Sequence, residues 1–141
     1  MRPAAVLVDT GPIVALLSDQ DADHTLCADA AAQLTGVSFT CWPVVTEAAW
    51  LLRNLDGGVE SLIRYLELEL ILLLELDSGA IPRIGEIVRR YDSLGVQLAD
   101  AALVYLSERE GIDTVFTLDY RDFSVLRKRD GRALRIFPAV G

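Results

Sequence analysis

Short apolar runs recur along the chain, most of them separated by segments with a helix pattern, and this spacing limits the fold more than any other feature. The runs cover residues 4–8, 37–41, 71–76, 114–117 and 134–137. Each has the length of a strand. They are mostly apolar rather than strictly alternating, as expected for strands covered on both faces. Helices are predicted over 12–17, 24–34, 43–54, 59–67, 78–91 and 97–110. Gly11-Pro12 punctuates the end of the first run, and Pro12 suits a first helical turn. Asp23 and Asp77-Ser78 stand at cap positions, and Asp56-Gly57-Gly58 and Gly111 stand at stops. The stretch "LELELILLLEL" over 66–76 satisfies two patterns. Its leucines and glutamates favour helix, while its apolar middle suits a buried strand. We place the helix end near Glu67 and the strand at 71–76. Strands separated by helices imply right-handed crossovers and a mostly parallel sheet. The expectation is one three-layer α/β/α domain spanning residues 1–141.

Composition narrows the function. The chain carries 21 acidic against 13 basic residues, a net charge of −8. Such a molecule does not attract nucleic acid through its overall field. Any binding of that kind needs a local basic patch or a metal ion. Hydrophobic residues make up 52% and mean hydropathy is +0.33, which suggests a partner surface in addition to a core. Cys27 and Cys41 have no CxxC spacing and read as buried thiols in a reducing compartment. The first apolar run is shorter than a signal-peptide core, and no run reaches the roughly 20 residues of a membrane span. A cytoplasmic protein is expected.

Most of the acidic residues lie in polar stretches and read as solvated charge. Four do not. Asp9 follows the first apolar run and Asp119 follows the fourth, so both fall at carboxyl ends of strands, where open α/β sheets bind ligands. Glu47 lies in "PVVTEAAWLL" and Asp100 in "QLADAALVYL", each with apolar neighbours at helical spacing. Taken singly, each has an ordinary alternative as a cap, a turn residue or a solvent-reaching side chain. Taken together, they would be mutually repulsive. Two unit charges about 5 Å apart repel by roughly 3 kcal/mol at an effective dielectric near 20. Four converging carboxylates would then cost on the order of 10–20 kcal/mol, comparable with the ~5–15 kcal/mol stability of a domain. Some must be protonated, or a cation must sit among them. An all-oxygen donor set selects Mg²⁺ or Mn²⁺ over zinc. The single histidine, His24, lies far from these motifs and reads as a surface or cap residue. Such a site suits phosphoryl chemistry. No Walker loop or GxGxxG occurs. Asp9 is followed by Thr10-Gly11, without the second aspartate of a haloacid-dehalogenase-like phosphatase. The only lysine, Lys128, fits a response-regulator receiver poorly.

"VLVDTGPIVALL", "TEAAWLL", "YDSLGVQLADAALVYLSER" and "VFTLDYRDF" together resemble the PIN-domain family. More narrowly, they resemble the VapC-like ribonuclease toxins of bacterial toxin–antitoxin pairs. The resemblance covers nearly the whole chain in the family's order. It implies a five-stranded parallel sheet and a Mg²⁺- or Mn²⁺-dependent endoribonuclease. It maps the family's acidic quartet onto Asp9, Glu47, Asp100 and Asp119, with Asp9 and Asp100 as principal metal ligands. Asp122 is the other candidate for the fourth acid, because "DYRDF" offers two. Thr117 matches a position that often carries a small hydroxyl, Thr10 is expected to help orient Asp9, and Asp92 lies near the site or in a loop. Arg121, Arg127, Lys128 and Arg129, with Arg132 and Arg135, are expected either to touch RNA phosphates beside the metal or to form a solvated basic hairpin. Trp42 and Trp50 read as core or interface residues rather than RNA-stacking platforms. The resemblance further implies a cognate antitoxin and a homodimer. A PIN-like binding module with weak cleavage, or a housekeeping nuclease, remains as an alternative.

Overall fold

The structure, a computed structural model, describes residues 4–139. The chain runs β1 (Ala5–Val8), α1 (Thr10–Leu17), α2 (His24–Ala32), β2 (Val37–Thr40), α3 (Trp42–Leu51) and α4 (Gly58–Glu67). It continues through β3 (Leu72–Leu73), a 3₁₀ turn (Ser78–Ala80), α5 (Ile81–Arg90), a second 3₁₀ turn (Asp92–Leu94) and α6 (Leu98–Glu110). It ends with β4 (Thr114–Phe116), α7 (Tyr120–Val125) and β5 (Arg135–Phe137). All five strands are parallel, in the order β3-β2-β1-β4-β5. Chain order therefore runs outward from β1 in one direction and returns to β4 on its other side. The gap between β1 and β4 is the topological switch point, and their carboxyl ends open a crevice there. With right-handed crossovers, α1 to α4 cover one face and α5 to α7 the other.

The expected architecture is present, with local differences. The strand expected over 71–76 is only Leu72–Leu73. Glu69, with φ of 57°, turns the chain sharply between α4 and β3, and residues 74–77 carry no regular structure. Asp77 caps the following 3₁₀ turn, accepting from Gly79 N at 2.9 Å. Asp23 occupies the cap position of α2 but its side chain makes no capping bond; Asp21 accepts from the Asp23 N–H instead. Helix α7 was not expected. It is six residues long, too short for a periodic signal, and Asp119 nucleates it from the preceding turn.

Helix α6 is buried over most of its surface, from Ala99 to Val104 and again at Leu106 and Ser107. This explains its near-uniform apolarity. It packs against α5 on one side and α3 on another, while α3 also packs against α1. Glu47 and Asp100 thus ride on neighbouring helices that flank the crevice. Cys27 and Cys41 are buried, free thiols, and burial pushes both up to about 11, so neither is a nucleophile at neutral pH. Among the described residues, no helix is long and apolar enough to cross a membrane.

One glycine is required by packing. A β-carbon on Gly36 would fall 1.3 Å from the Ala4 carbonyl oxygen, next to the Val37 N–H that this oxygen accepts at 3.1 Å. The first rung of the β1–β2 pairing therefore has no room for a side chain. Gly36→Ala is expected to destabilise the protein by about 1–3 kcal/mol, measured as a lower denaturant midpoint at unchanged slope.

Candidate metal centre

Five carboxylates line one cavity of about 460 Å³ at the carboxyl edge of the sheet: Asp9, Glu47, Asp100, Asp119 and Asp122. Among the described residues, no lysine or arginine lines it. Each acid arrives from a different constraint. Asp9 follows β1 and keeps the ladder going, its N–H donating to the Phe116 carbonyl at 2.9 Å. Although Asp9 stands at the cap position of α1, its side chain makes no capping bond. It turns instead toward Thr117, whose hydroxyl donates to Asp9 Oδ2 at 2.7 Å. The same Thr117 oxygen accepts from the Asp119 N–H at 2.9 Å. Thr117 thus ties the ends of β1 and β4 together and fixes two acids with one hydroxyl.

Asp119 combines both readings open to an aspartate after a strand. One carboxylate oxygen caps α7 by accepting from the Asp122 N–H at 3.0 Å. The carboxylate also belongs to the acidic group, because ligand oxygens of Asp100, Asp119 and Asp122 all lie within 4.8 Å of one another. Asp122 therefore joins Asp119 in the cluster and does not replace it. The six-residue helix α7 turns both side chains of "DYRDF" toward the crevice.

Thr10 acts differently from expectation. Its hydroxyl donates to Glu47 Oε1 at 2.6 Å and so orients Glu47. Thr10 assists Asp9 only through its backbone N–H. Asp92 is exposed and does not line the cavity. Gln97 and Gly95, which the sequence did not single out, do line it. Gly95 has a φ of 72°, which lets the chain turn from the 3₁₀ segment into α6 just before Asp100.

The basic segment lies elsewhere. Lys128 is buried and its Nζ pairs with Asp113 Oδ1 at 2.7 Å. Asp113 immediately precedes β4, at the amino edge of the sheet, opposite the acids. The Arg129 N–H donates to Glu108 at 2.7 Å, and its guanidinium reaches Glu86 at 3.3 Å. Glu108 lies two turns along α6 from Asp100, about 12 Å away by helical rise. Arg127 folds back onto the Ser124 and Leu126 carbonyls at the end of α7. Arg135 opens β5 opposite Thr114, again at the amino edge, and Arg132 lies near Asp113. Of these cations, Arg121, exposed in the first turn of α7, is the one close to Asp122. The expected phosphate contacts beside the metal are therefore reduced to Arg121. The remainder of the basic segment forms a structural clamp at the far end. His24, at the first position of α2, lies with Nδ1 2.7 Å from the Ala15 carbonyl, also outside the cavity.

Electrostatics follow from this crowding. Burial, with help from Glu47 and Asp119, pushes the Asp9 carboxyl up to about 6 despite the Thr117 hydrogen bond. Burial and the charges of Asp9, Asp119, Asp122 and Glu47 push Asp100 up to about 8. Asp122 is raised by burial and by Asp119. The donor set is all oxygen, with three carboxylate atoms close enough to share one ion, which fits a hard divalent cation.

The consequence for stability has a definite sign. In the folded, metal-free protein Asp9 and Asp100 hold protons that the unfolded chain releases near pH 4. Their contribution is full below that pH and is lost as pH rises through about 6 and about 8. Glu108, held low by Arg83 and Arg129 against its burial, and Asp113, held low by Lys128, act in the opposite sense and only below about pH 4. The melting temperature in chelator should therefore fall between pH 5 and pH 8. Asp100→Asn should flatten the upper part of that decline without lowering the melting temperature at pH 8. A divalent ion should restore the wild-type value.

The geometry is that of a known family. Residues 6–129 match the PIN domain family. The chain is 30% identical over 146 residues to Ribonuclease VapC26 of Mycobacterium tuberculosis (strain ATCC 25618 / H37Rv), covering 94% of this chain and all of that protein. Among solved structures, it superposes on Mycobacterium tuberculosis VapC20, a sarcin-ricin loop cleaving toxin, with a TM-score of 0.76 and 20% identity. That match covers 82% of this chain and 91% of VapC20. It also superposes on VapBC2 from Rickettsia felis, solved bound to a DNA fragment from its promoter, with a TM-score of 0.62 and 12% identity, over 94% of this chain and 96% of that one. These two likenesses concern the fold; the match along the sequence makes the chain a member of the PIN domain family.

Proposed function

We propose that the protein is a Mg²⁺- or Mn²⁺-dependent endoribonuclease, the toxin of a toxin–antitoxin pair. The observation that carries this reading is the convergence of five carboxylates, with no basic side chain among the described residues on the cavity wall, in a PIN-family chain. Asp9 and Asp100 would be the principal ligands of the ion, with Glu47 and Asp119 completing its surroundings and Asp122 adding a further oxygen. When bound, the ion supplies an activated water and offsets charge on the phosphate and leaving oxygen.

The chain's own residues do the rest. Thr117 holds Asp9 and Asp119 in mutual register, and Thr10 sets the rotamer of Glu47. Arg121 stands where it can meet an RNA phosphate next to the acids. With Asp9 raised to about 6 and Asp100 to about 8, protons would compete with the ion for these carboxylates, so affinity for the ion should weaken as pH falls from 8 to 6. Partners follow from the same reading: RNA as substrate, a cognate antitoxin, and a second copy of this chain. Exposed Val59 and Ile63 on α4, with Leu68 and Leu70 after it, offer apolar area for self-association.

Purified protein with Mg²⁺ or Mn²⁺ should cut RNA, and chelator should stop it. Asp9→Asn and Asp100→Asn should each lower the rate by more than about 100-fold while the fold persists. Variants that cut as fast as wild type would refute the site. A small neighbouring gene encoding a DNA-binding protein would support the pairing with an antitoxin.

A further inference from the structure

Both tryptophans of the chain are exposed, although each sits in an apolar segment. Trp42 is 57% exposed, Trp50 62% and the facing Leu98 64%. The core reading of the indoles is thereby excluded, and their surface is open to a partner or ligand. With Pro43, Thr46 and Ala99 they form an open, largely apolar shelf between α3 and the start of α6. The shelf adjoins the acidic cavity directly, since Glu47 and Gln97 line both. Trp50 lies three residues beyond Glu47 on α3, so the two are surface neighbours. The Arg53 guanidinium lies over the Trp50 ring at 3.7 Å and donates to the Trp50 carbonyl at 2.7 Å. One face of that indole is thus backed by a cation, which limits its rotation.

We propose that this shelf is a nucleobase subsite, on which a base of the RNA bound at the acidic cavity unstacks and lies against Trp50, Trp42 or both. The choice of RNA rests on the ribonuclease reading. The argument for a base is energetic. The protein carries a net charge of −8, its cavity wall is anionic, and all but one of the basic residues after Asp119 are turned to the opposite edge or folded onto their own backbone. Phosphate contacts from the segment after Asp119 are therefore limited to Arg121, and contacts indifferent to charge add affinity where the cavity wall itself repels a polyanion. Stacking on an exposed indole is such a contact, and it tolerates any base. The shelf is contiguous with the cavity, so a strand leaving the cavity on this side crosses it. Arg53 at its border meets the backbone of the same strand.

The two indoles make the test direct, because all tryptophan fluorescence of the protein arises from the shelf. A single-stranded RNA oligonucleotide, added in Ca²⁺ to slow cleavage, should quench that emission. An abasic oligonucleotide of equal length should quench it much less. In Mg²⁺ or Mn²⁺, Trp50→Ala and Trp42→Ala should raise the KM for RNA, roughly 5- to 100-fold for the indole that stacks. Their kcat should stay within about twofold and their metal affinity should not change. Equal quenching by both oligonucleotides overturns the proposal. So does unchanged KM in both variants, and a loss of dimer or of partner binding alongside it would assign the shelf to protein contact instead. If wild-type protein cuts no RNA yet RNA quenches and abasic chain does not, the nuclease reading falls and the subsite stands.

Discussion

Mutual repulsion among carboxylates at one edge of the sheet is the constraint around which this molecule is arranged. A folded chain rarely brings five acids to one cavity without a cation on its wall. Here it does so by fixing each acid to an element that packing holds in place. Asp9 and Asp119 are set by the parallel pairing of β1 and β4, and their spacing is locked by Thr117. Asp100 is carried by α6, which is among the most buried helices of the fold. The core thus works against the site's electrostatics. The raised pKa values of Asp9, Asp100 and Asp122 are the residue of that opposition. A divalent ion at this place relieves repulsion and stabilises the fold in one step.

How much of this could be read from the sequence depended on the range of the signal. The strands and long helices were visible because burial leaves a periodic trace over many residues. So was the meeting of Asp9 with Asp119, because a parallel sheet collects all its strand ends at one edge. Helix α7 was not visible, since six residues give no periodicity and its start is set by an aspartate that serves two purposes. The fourth acid was posed as a choice between Asp119 and Asp122 for the same reason: without the helix, their side chains had no predictable direction. Strand β3 shrank to two residues because "LELELILLLEL" satisfies two patterns and pairing with β2 alone decides where the ladder stops.

The basic segment, read as either phosphate contacts or a solvated hairpin, illustrates a different limit. Charge runs are read as surfaces, and position after an acidic motif suggests proximity to it. In three dimensions, the residues after α7 return to the amino edge of the sheet to begin β5. Lys128 and Arg129 meet Asp113 and Glu108 there, and Arg83 forms two hydrogen bonds to the same Glu108 at 2.9 and 2.7 Å. These pairs join α5, α6 and the last crossover at the end of the molecule remote from the cavity. Thr10 failed more locally. It was assigned to its sequence neighbour, whereas α1 packs against α3 and turns its hydroxyl to Glu47.

Separating the charges in this way has a chemical result. Holding the basic segment at the far edge leaves carboxylates as the charged side chains on the cavity wall among the described residues, a field that repels a polyanion unless a cation intervenes. In the proposed nuclease, this field would couple substrate binding to metal loading. The same separation removes one source of affinity for a polyanion and leaves the exposed indoles beside Glu47 as an apolar contact area adjoining the site. An apolar shelf adjoining an acidic cavity would be a liability in a protein with no partner. Beside a centre that acts on RNA, as proposed, the two surfaces would be complementary to the two halves of each nucleotide.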